Sequence, residues 1–128
     1  MWYRNGTKYN ARKVVVNGET YDSKKEAKRA FELAALEQKG LISGLKRQVK
    51  YILIPAQREP DIIGPKGGKK PGKTIEKELA YIADFVYEKD GETIVEDVKG
   101  YREGGAYRIF CIKRKLMLWR YGIRVKEV

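Results

Sequence analysis

A chain of 128 residues with 42% hydrophobic and 11% aromatic residues is long enough for one domain around a single core, and too apolar for a disordered polymer. Its 28 Lys+Arg against 17 Asp+Glu leave a formal charge of +11, which favours a polyanionic partner, nucleic acid before membrane. The absence of histidine and the lone Cys111 exclude an internal disulfide, cysteine-based structural zinc, histidine-metal nuclease centres, zinc deaminases, Ser-His-Asp triads and Cys-His pairs.

Any chemistry must then come from carboxylates, lysine, tyrosine and a hard metal ion. No apolar run reaches the length of a membrane span, and the start of the chain lacks the apolar stretch of a signal peptide, so a cytoplasmic protein is expected.

In chain order, residues 1–12 are polar, aromatic and basic without periodicity, and are expected to form a mobile arm. Val14-Val15-Val16 and Glu19-Thr20-Tyr21 flank Asn17-Gly18, a strong type I′ hairpin signal. Ser23 followed by Glu26 is a capping-box pattern. Ala27, Ala30, Phe31, Ala34 and Gln38 then keep helical spacing, with Leu33 and Leu36 beside the stripe and Gly40 as the stop, so a helix is expected over 23–39.

A strand is expected over 47–55, where Val49, Tyr51 and Leu53 alternate with Gln48, Lys50 and Ile52. The Gly-, Pro- and Lys-rich stretch 60–77 reads as a flexible basic loop. Leu79–Tyr87 and Thr93–Lys99 are strand candidates joined across Asp90-Gly91. Tyr107–Tyr121 reads as a helix with Ile109, Ile112, Leu116 and Trp119 on one side, and Arg108, Lys113, Arg114, Lys115 and Arg120 on the other. Gly122 ends it, and Ile123–Val128 should form a terminal strand. The pattern predicts one domain over 1–128, an α/β or α+β mixed sheet flanked by helices.

With a two-residue turn at Asp90-Gly91, opposing residues have numbers summing to 181. Val86 then faces Val95, and Asp84 faces Asp97. Lys99 emerges on the same side as Asp97, while Ile82, Val86 and Val95 on that face should point into the core. Two carboxylates opposed at roughly 5 Å repel by about 3 kcal/mol at an effective dielectric near 20. A divalent cation bridging them removes that penalty, and oxygen donors suit Mg²⁺ or Mn²⁺. The plainer alternative is a solvated edge in which Lys99 pairs with Asp97.

Asp84, a hairpin and then Asp97-Val98-Lys99 resemble the Asp…(Asp/Glu)-x-Lys signature of the PD-(D/E)xK nuclease superfamily. Tyr21-Asp22-Ser23-Lys24-Lys25-Glu26-Ala27, Tyr81-Ile82-Ala83-Asp84-Phe85 and Glu96-Asp97-Val98-Lys99-Gly100 extend the likeness from about Tyr9 onward. In that order they are similar to a phage family of unknown function placed in the superfamily beside small Holliday junction resolvases. Two departures stand out: Ala83 precedes Asp84 where the namesake motif has proline, and the triplet opens with Asp97 rather than glutamate.

The resemblance implies a restriction-endonuclease-like core in which Asp84 and Asp97 hold Mg²⁺ or Mn²⁺ and Lys99 orients the attacking water. Glu26 has two readings, a helix cap worth about 1 kcal/mol or a third metal ligand. Glu96 leaves the opposite face from Asp97 and is given a supporting role. Gln48 sits where the resembled enzymes sometimes have a polar strand residue near the site, and the favoured reading is an exposed glutamine. The implied activity is cleavage of branched DNA, foremost Holliday junctions, and two symmetric cuts imply a homodimer.

Phosphate contacts are expected from Lys66, Lys69, Lys70 and Lys73, from Arg102, and from Arg108, Lys113, Arg114 and Lys115 on the last helix. Each could equally be an ordinary solvated cation. Trp2, Tyr3 and Tyr9 could stack on exposed bases or pack on a partner subunit. The rival readings are a related nuclease acting on duplex ends or flaps, and a non-catalytic DNA-binding accessory protein.

Overall fold

A computed structural model describes residues 13–128; the expected arm with Trp2, Tyr3 and Tyr9 lies outside the described residues. β1 (Val14–Val16) and β2 (Glu19–Tyr21) form a hairpin whose turn residues, Asn17 and Gly18, both take positive φ (52° and 80°), the type I′ geometry that Asn-Gly tolerates. α1 (Lys24–Gln38) starts at Ser23, whose side chain accepts from the Glu26 N–H. The buried stripe of α1 is Glu26, Ala27, Ala30 and Leu33. Leu33 is thus at the centre of the packed face and Phe31 is exposed, a rotation from the expected stripe.

β3 (Ser43–Ile54) begins four residues before the expected strand. It pairs antiparallel with β8 (Leu79–Lys89), which turns at Asp90-Gly91 into β9 (Glu92–Asp97). α2 (Gly104–Tyr121) ends at Gly122 in the left-handed region, and a two-residue strand, β10 (Lys126–Glu127), runs parallel to β9. The four strands lie in the order β10-β9-β8-β3, a mixed sheet flanked by two helices. No described helix is long and apolar enough to cross a membrane.

Residues 60–77 are not the structureless loop their composition suggests. β4 (Gln57–Arg58) pairs with β7 (Thr74–Glu76), and β5 (Ile62–Ile63) pairs with β6 (Lys69–Lys70), so the segment folds back on itself as a narrow arm. Main-chain pairing builds it, because almost every side chain in it is exposed. Gly72 is buried at the neck of the arm. An added Cβ there would lie 2.2 Å from the Glu59 carbonyl oxygen, so the two backbones meet as closely as glycine alone allows.

α2 also turns a different side inward. Phe110 and Met117 are buried in the core with Tyr81, Val95 and Val125, while Ile109, Ile112 and Trp119 are 57%, 56% and 79% exposed. Of the expected apolar side only Leu116 packs against the core, and the other three residues face solvent.

The register of the β8–β9 hairpin matches the arithmetic: Val86 opposes Val95 and Phe85 opposes Glu96. The facing of its neighbours does not follow from alternation alone. On β8, Tyr81 and Ala83 pack in the α2-side core, whereas Phe85 and Tyr87 pack in the α1-side core. On β3, Val49 and Tyr51 join the α2-side core, whereas Leu45 joins the other. Pairing holds on both sides of this switch, from Lys46↔Val86 to Ile52↔Ala80. Between the two halves stand Gln48, with φ of 53°, and Asp84. On β3 the reversal falls at this left-handed residue and on β8 at Asp84, and the ladder does not slip at either. This corrects the expectation for Ile82, which is 53% exposed instead of pointing into the core.

Candidate metal centre and its lysine

Asp84 lies where alternation reverses, so its carboxylate belongs to neither core. Its Oδ2 accepts the Val98 N–H at 2.8 Å and its Oδ1 accepts from Gln48 Nε2 at 3.3 Å. The start of α1 brings two more acids to the same place. Asp22, Glu26 and Asp84 each offer a carboxylate oxygen, and these oxygens lie within 4.8 Å of one another. Burial first, then the charge of Asp97 and in smaller measure that of Glu26, push the Asp84 carboxyl up to about 7.

Glu26 is buried, and its two oxygens do different things. Oε1 accepts the Asp22 N–H at 3.0 Å, one residue beyond the Ser23 N–H of a regular capping box. Oε2 accepts from Gln48 Nε2 at 3.1 Å and from the Arg47 guanidinium at 3.4 Å. The two readings of Glu26 are thus not exclusive, since a capping carboxylate also stands in the acidic cluster. Gln48 is exposed as expected, yet its amide bridges Glu26 and Asp84.

Asp97 and Lys99 form the other half of the site, on the α2 side. Asp97 is buried; its Oδ1 accepts from the Tyr81 hydroxyl at 2.8 Å, and its Oδ2 pairs with Lys99 Nζ at 2.6 Å. The ammonium also sits 3.6 Å from the centroid of the Phe110 ring, a cation–π contact that holds it over the end of α2. Burial and the neighbouring Asp97 raise the Tyr81 hydroxyl far above the ordinary tyrosine value, so it stays a donor. Main-chain bonds from Val128 to Asp97 and from Lys99 to Val128 hold the triplet against the sheet edge.

Asp84, Asp97 and Lys99 are therefore neighbours, but not as three side chains on one plain face. Asp84 joins Glu26 and Asp22, and Asp97 joins Lys99 and Tyr81. In the sequence Tyr81 and Asp22 stand out only as parts of matching runs. No local pattern marks a tyrosine hydroxyl sixteen residues from its acceptor.

Glu96 is fully buried on the α1 side. Arg29 grips it with two bonds of 2.8 and 2.7 Å, and the Tyr87 hydroxyl donates to it as well. Burial alone would raise this carboxyl; Arg29 and Tyr87 together hold it below the usual glutamate value. These bonds tie α1 to the sheet.

Of the expected phosphate-contacting cations, Lys69 and Lys70 are exposed on β6, Lys66 and Lys73 are exposed nearby, and Arg108 and Lys115 are exposed on α2. Lys113 is half-buried beside Lys99, in the wall of one cavity. Arg102 and Arg114 are turned toward Glu127, at 3.3 and 2.9 Å, which leaves them less free to contact a ligand.

A model of a protein family described as a protein of unknown function, DUF1064, matches residues 6–126. The chain belongs to this family. No curated protein and no solved structure matched it. The match takes in every acidic residue of the site, together with Gln48, Tyr81 and Lys99.

Proposed function

We propose that the protein is a metal-dependent endodeoxyribonuclease of the PD-(D/E)xK type, hydrolysing phosphodiester bonds in DNA and favouring branched DNA such as Holliday junctions. The observation that carries the reading is the gathering of Asp22, Glu26 and Asp84 within 4.8 Å, beside the Asp97–Lys99 pair, in a chain of charge +11. Like charges crowded into a half-buried place oppose folding unless something neutralises them. The donor set is all oxygen, and burial first, then the charge of Asp97, raises the Asp84 carboxyl. Those donors fit Mg²⁺ or Mn²⁺, with Asp84 and Glu26 as the principal ligands and Asp22 or Asp97 completing the set.

A divalent ion at such a site supplies Lewis acidity toward a phosphoryl oxygen and a bound water of lowered pKa. The remaining work falls to the chain itself. Tyr81 fixes the rotamer of Asp97, and Asp97 with the Phe110 ring holds the Lys99 ammonium in place. From there Lys99 orients a water and offsets the charge that develops on the pentavalent phosphorus. Gln48 ties Glu26 to Asp84, so the two strands and α1 present one rigid acidic pocket.

Incubation of labelled four-way junction, flap and linear duplex with Mg²⁺ or Mn²⁺ tests the reading. Wild type should cut the junction fastest, and Asp84→Asn and Lys99→Ala should each lose at least about a hundredfold in rate. Scission that resists chelator, or that survives both substitutions, would overturn it.

A further inference from the structure

On α1, Glu26 turns toward the acidic cluster while Lys25, Lys28, Arg29 and Glu32 fall at helical spacing on an adjoining face. That face walls a cavity of about 360 Å³, closed on the far side by Val98, Lys126 and Val128. The acids around it are already committed. Glu96 is saturated by Arg29 and Tyr87, and Glu32 accepts from the same Arg29 at 3.1 Å. The Val128 oxygen accepts from the Lys99 N–H. Lys25 donates to the Lys99 carbonyl, which ties the cavity wall to the loop that carries the site lysine. Lys28 and Lys126 have no hydrogen-bond or ion-pair partner among the described residues, and Lys126 stands beside Glu96 on the neighbouring strand.

The cavity and the acidic cluster stand back to back. The Val98 N–H holds Asp84 while the same residue lines the cavity, and Lys25 precedes Glu26 on the helix. A volume of this size holds a phosphate with part of its sugar. We infer that this cavity is a phosphate subsite, in which Lys25, Lys28 and Lys126 receive a backbone phosphate of a nucleic-acid strand, next to the one placed at Asp84. The inference rests on the nuclease reading for the identity of the strand. Its role would be to set the register of that strand across the acids, a contact that positions without reading sequence. The source to which we commit is an internal phosphodiester; a terminal 5′-phosphate has the same chemistry and is separated by the test.

The test uses the full chain with labelled junction DNA in Ca²⁺, so that binding is read without scission. A single uncharged methylphosphonate is moved along the strand, and 5′-phosphate ends are compared with 5′-hydroxyl ends. In wild type one internal position should cost about tenfold in Kd. In Lys28→Ala/Lys126→Ala that same position should cost less than about twofold, and the salt slope of log K should fall by roughly one to two. Lys28→Arg/Lys126→Arg should restore the position-specific loss. Sensitivity to the 5′-phosphate that vanishes in the alanine variant would keep the phosphate site and place a strand end in it. Methylphosphonate losses identical in wild type and the alanine variant would overturn the subsite, as would absence of any sensitive position. Scission in Mg²⁺ without coupling rejects the subsite alone; coupling without scission rejects the nuclease reading alone.

Discussion

Gln48 Nε2 lies 3.3 Å from Asp84 Oδ1, at the one place where both strands exchange the core they face. The exchange on β3 falls at the positive φ of Gln48, and the amide of the same residue bridges Asp84 to Glu26. Backbone and side chain of one residue thus do two jobs. The first reverses the alternation of β3 beside Asp84. The second holds it against an acid from a different element.

Substitution at Gln48 separates those jobs. Asparagine tolerates the left-handed region at least as well but is one methylene shorter, so it cannot span Glu26 and Asp84 together. Gln48→Asn is expected to keep thermal stability within about 0.5 kcal/mol while cleavage falls roughly tenfold. Equal losses of stability and rate would show that the bridge serves folding alone.

The Asp84 carboxyl sets a pH dependence with a definite sign. Its folded value of about 7 lies above that of the unfolded chain, so the fold retains a proton that the unfolded chain has released. In chelator, unfolding free energy should therefore fall as pH rises from about 4 to about 7, and level off above. Asp84→Asn should abolish that slope and be more stable than wild type at pH 8, by roughly 2–4 kcal/mol at most. Mg²⁺ should stabilise wild type and leave the variant unmoved. Denaturant titrations across this range check all three.

Tyr81→Phe removes the hydroxyl that holds Asp97 and leaves the ring in the core. The expected cost in stability is about 1 kcal/mol. The rate should drop by more than that energy implies, because Lys99 loses its fixed counter-charge, and the loss should appear in kcat rather than KM.

Glu96 is a structural anchor, and its removal should be felt throughout the fold. Glu96→Ala leaves Arg29 and the Tyr87 hydroxyl without their buried partner, at about 3–5 kcal/mol. Because the Glu96 carboxyl is held low, its contribution is present above the unfolded glutamate value and is lost as pH falls through the folded one. Chemical denaturation at pH 7 and pH 3 should show the difference between wild type and variant shrinking at the lower pH.

The orientation of α2 predicts a contrast between two of its residues. Met117→Ala, in the core, should cost about 2–5 kcal/mol. Trp119→Ser should change stability by less than about 0.5 kcal/mol, because the indole is largely in water. Paired melting curves decide it.

Where local chemistry decides structure, the sequence was readable. Asn17-Gly18 and Asp90-Gly91 take the positive φ values their turn requires, Ser23 caps α1, and the pairing of Val86 with Val95 follows from the turn by counting. Of the candidate site, Asp84, Asp97, Lys99 and Glu26 stand out in the sequence, but Asp22, Tyr81 and the grouping of these residues do not. A period-two pattern has no symbol for a left-handed glutamine, so the reversal that exposes Ile82 and frees Asp84 is invisible until the ladder is seen. α2 misleads for another reason: it carries two apolar stripes, and spacing cannot say which one the sheet takes. The arm over 57–76 is paired through its main chain, which composition does not report.

The buried Gly72 has a bearing on how this family can vary. With the neck of the arm locked by contact between two backbones, the turn at Pro65–Gly68 is insulated from the sheet that carries the acids. A change in its length is expected to leave the geometry of the acidic cluster unmoved, much as a blade can be swapped on a fixed handle.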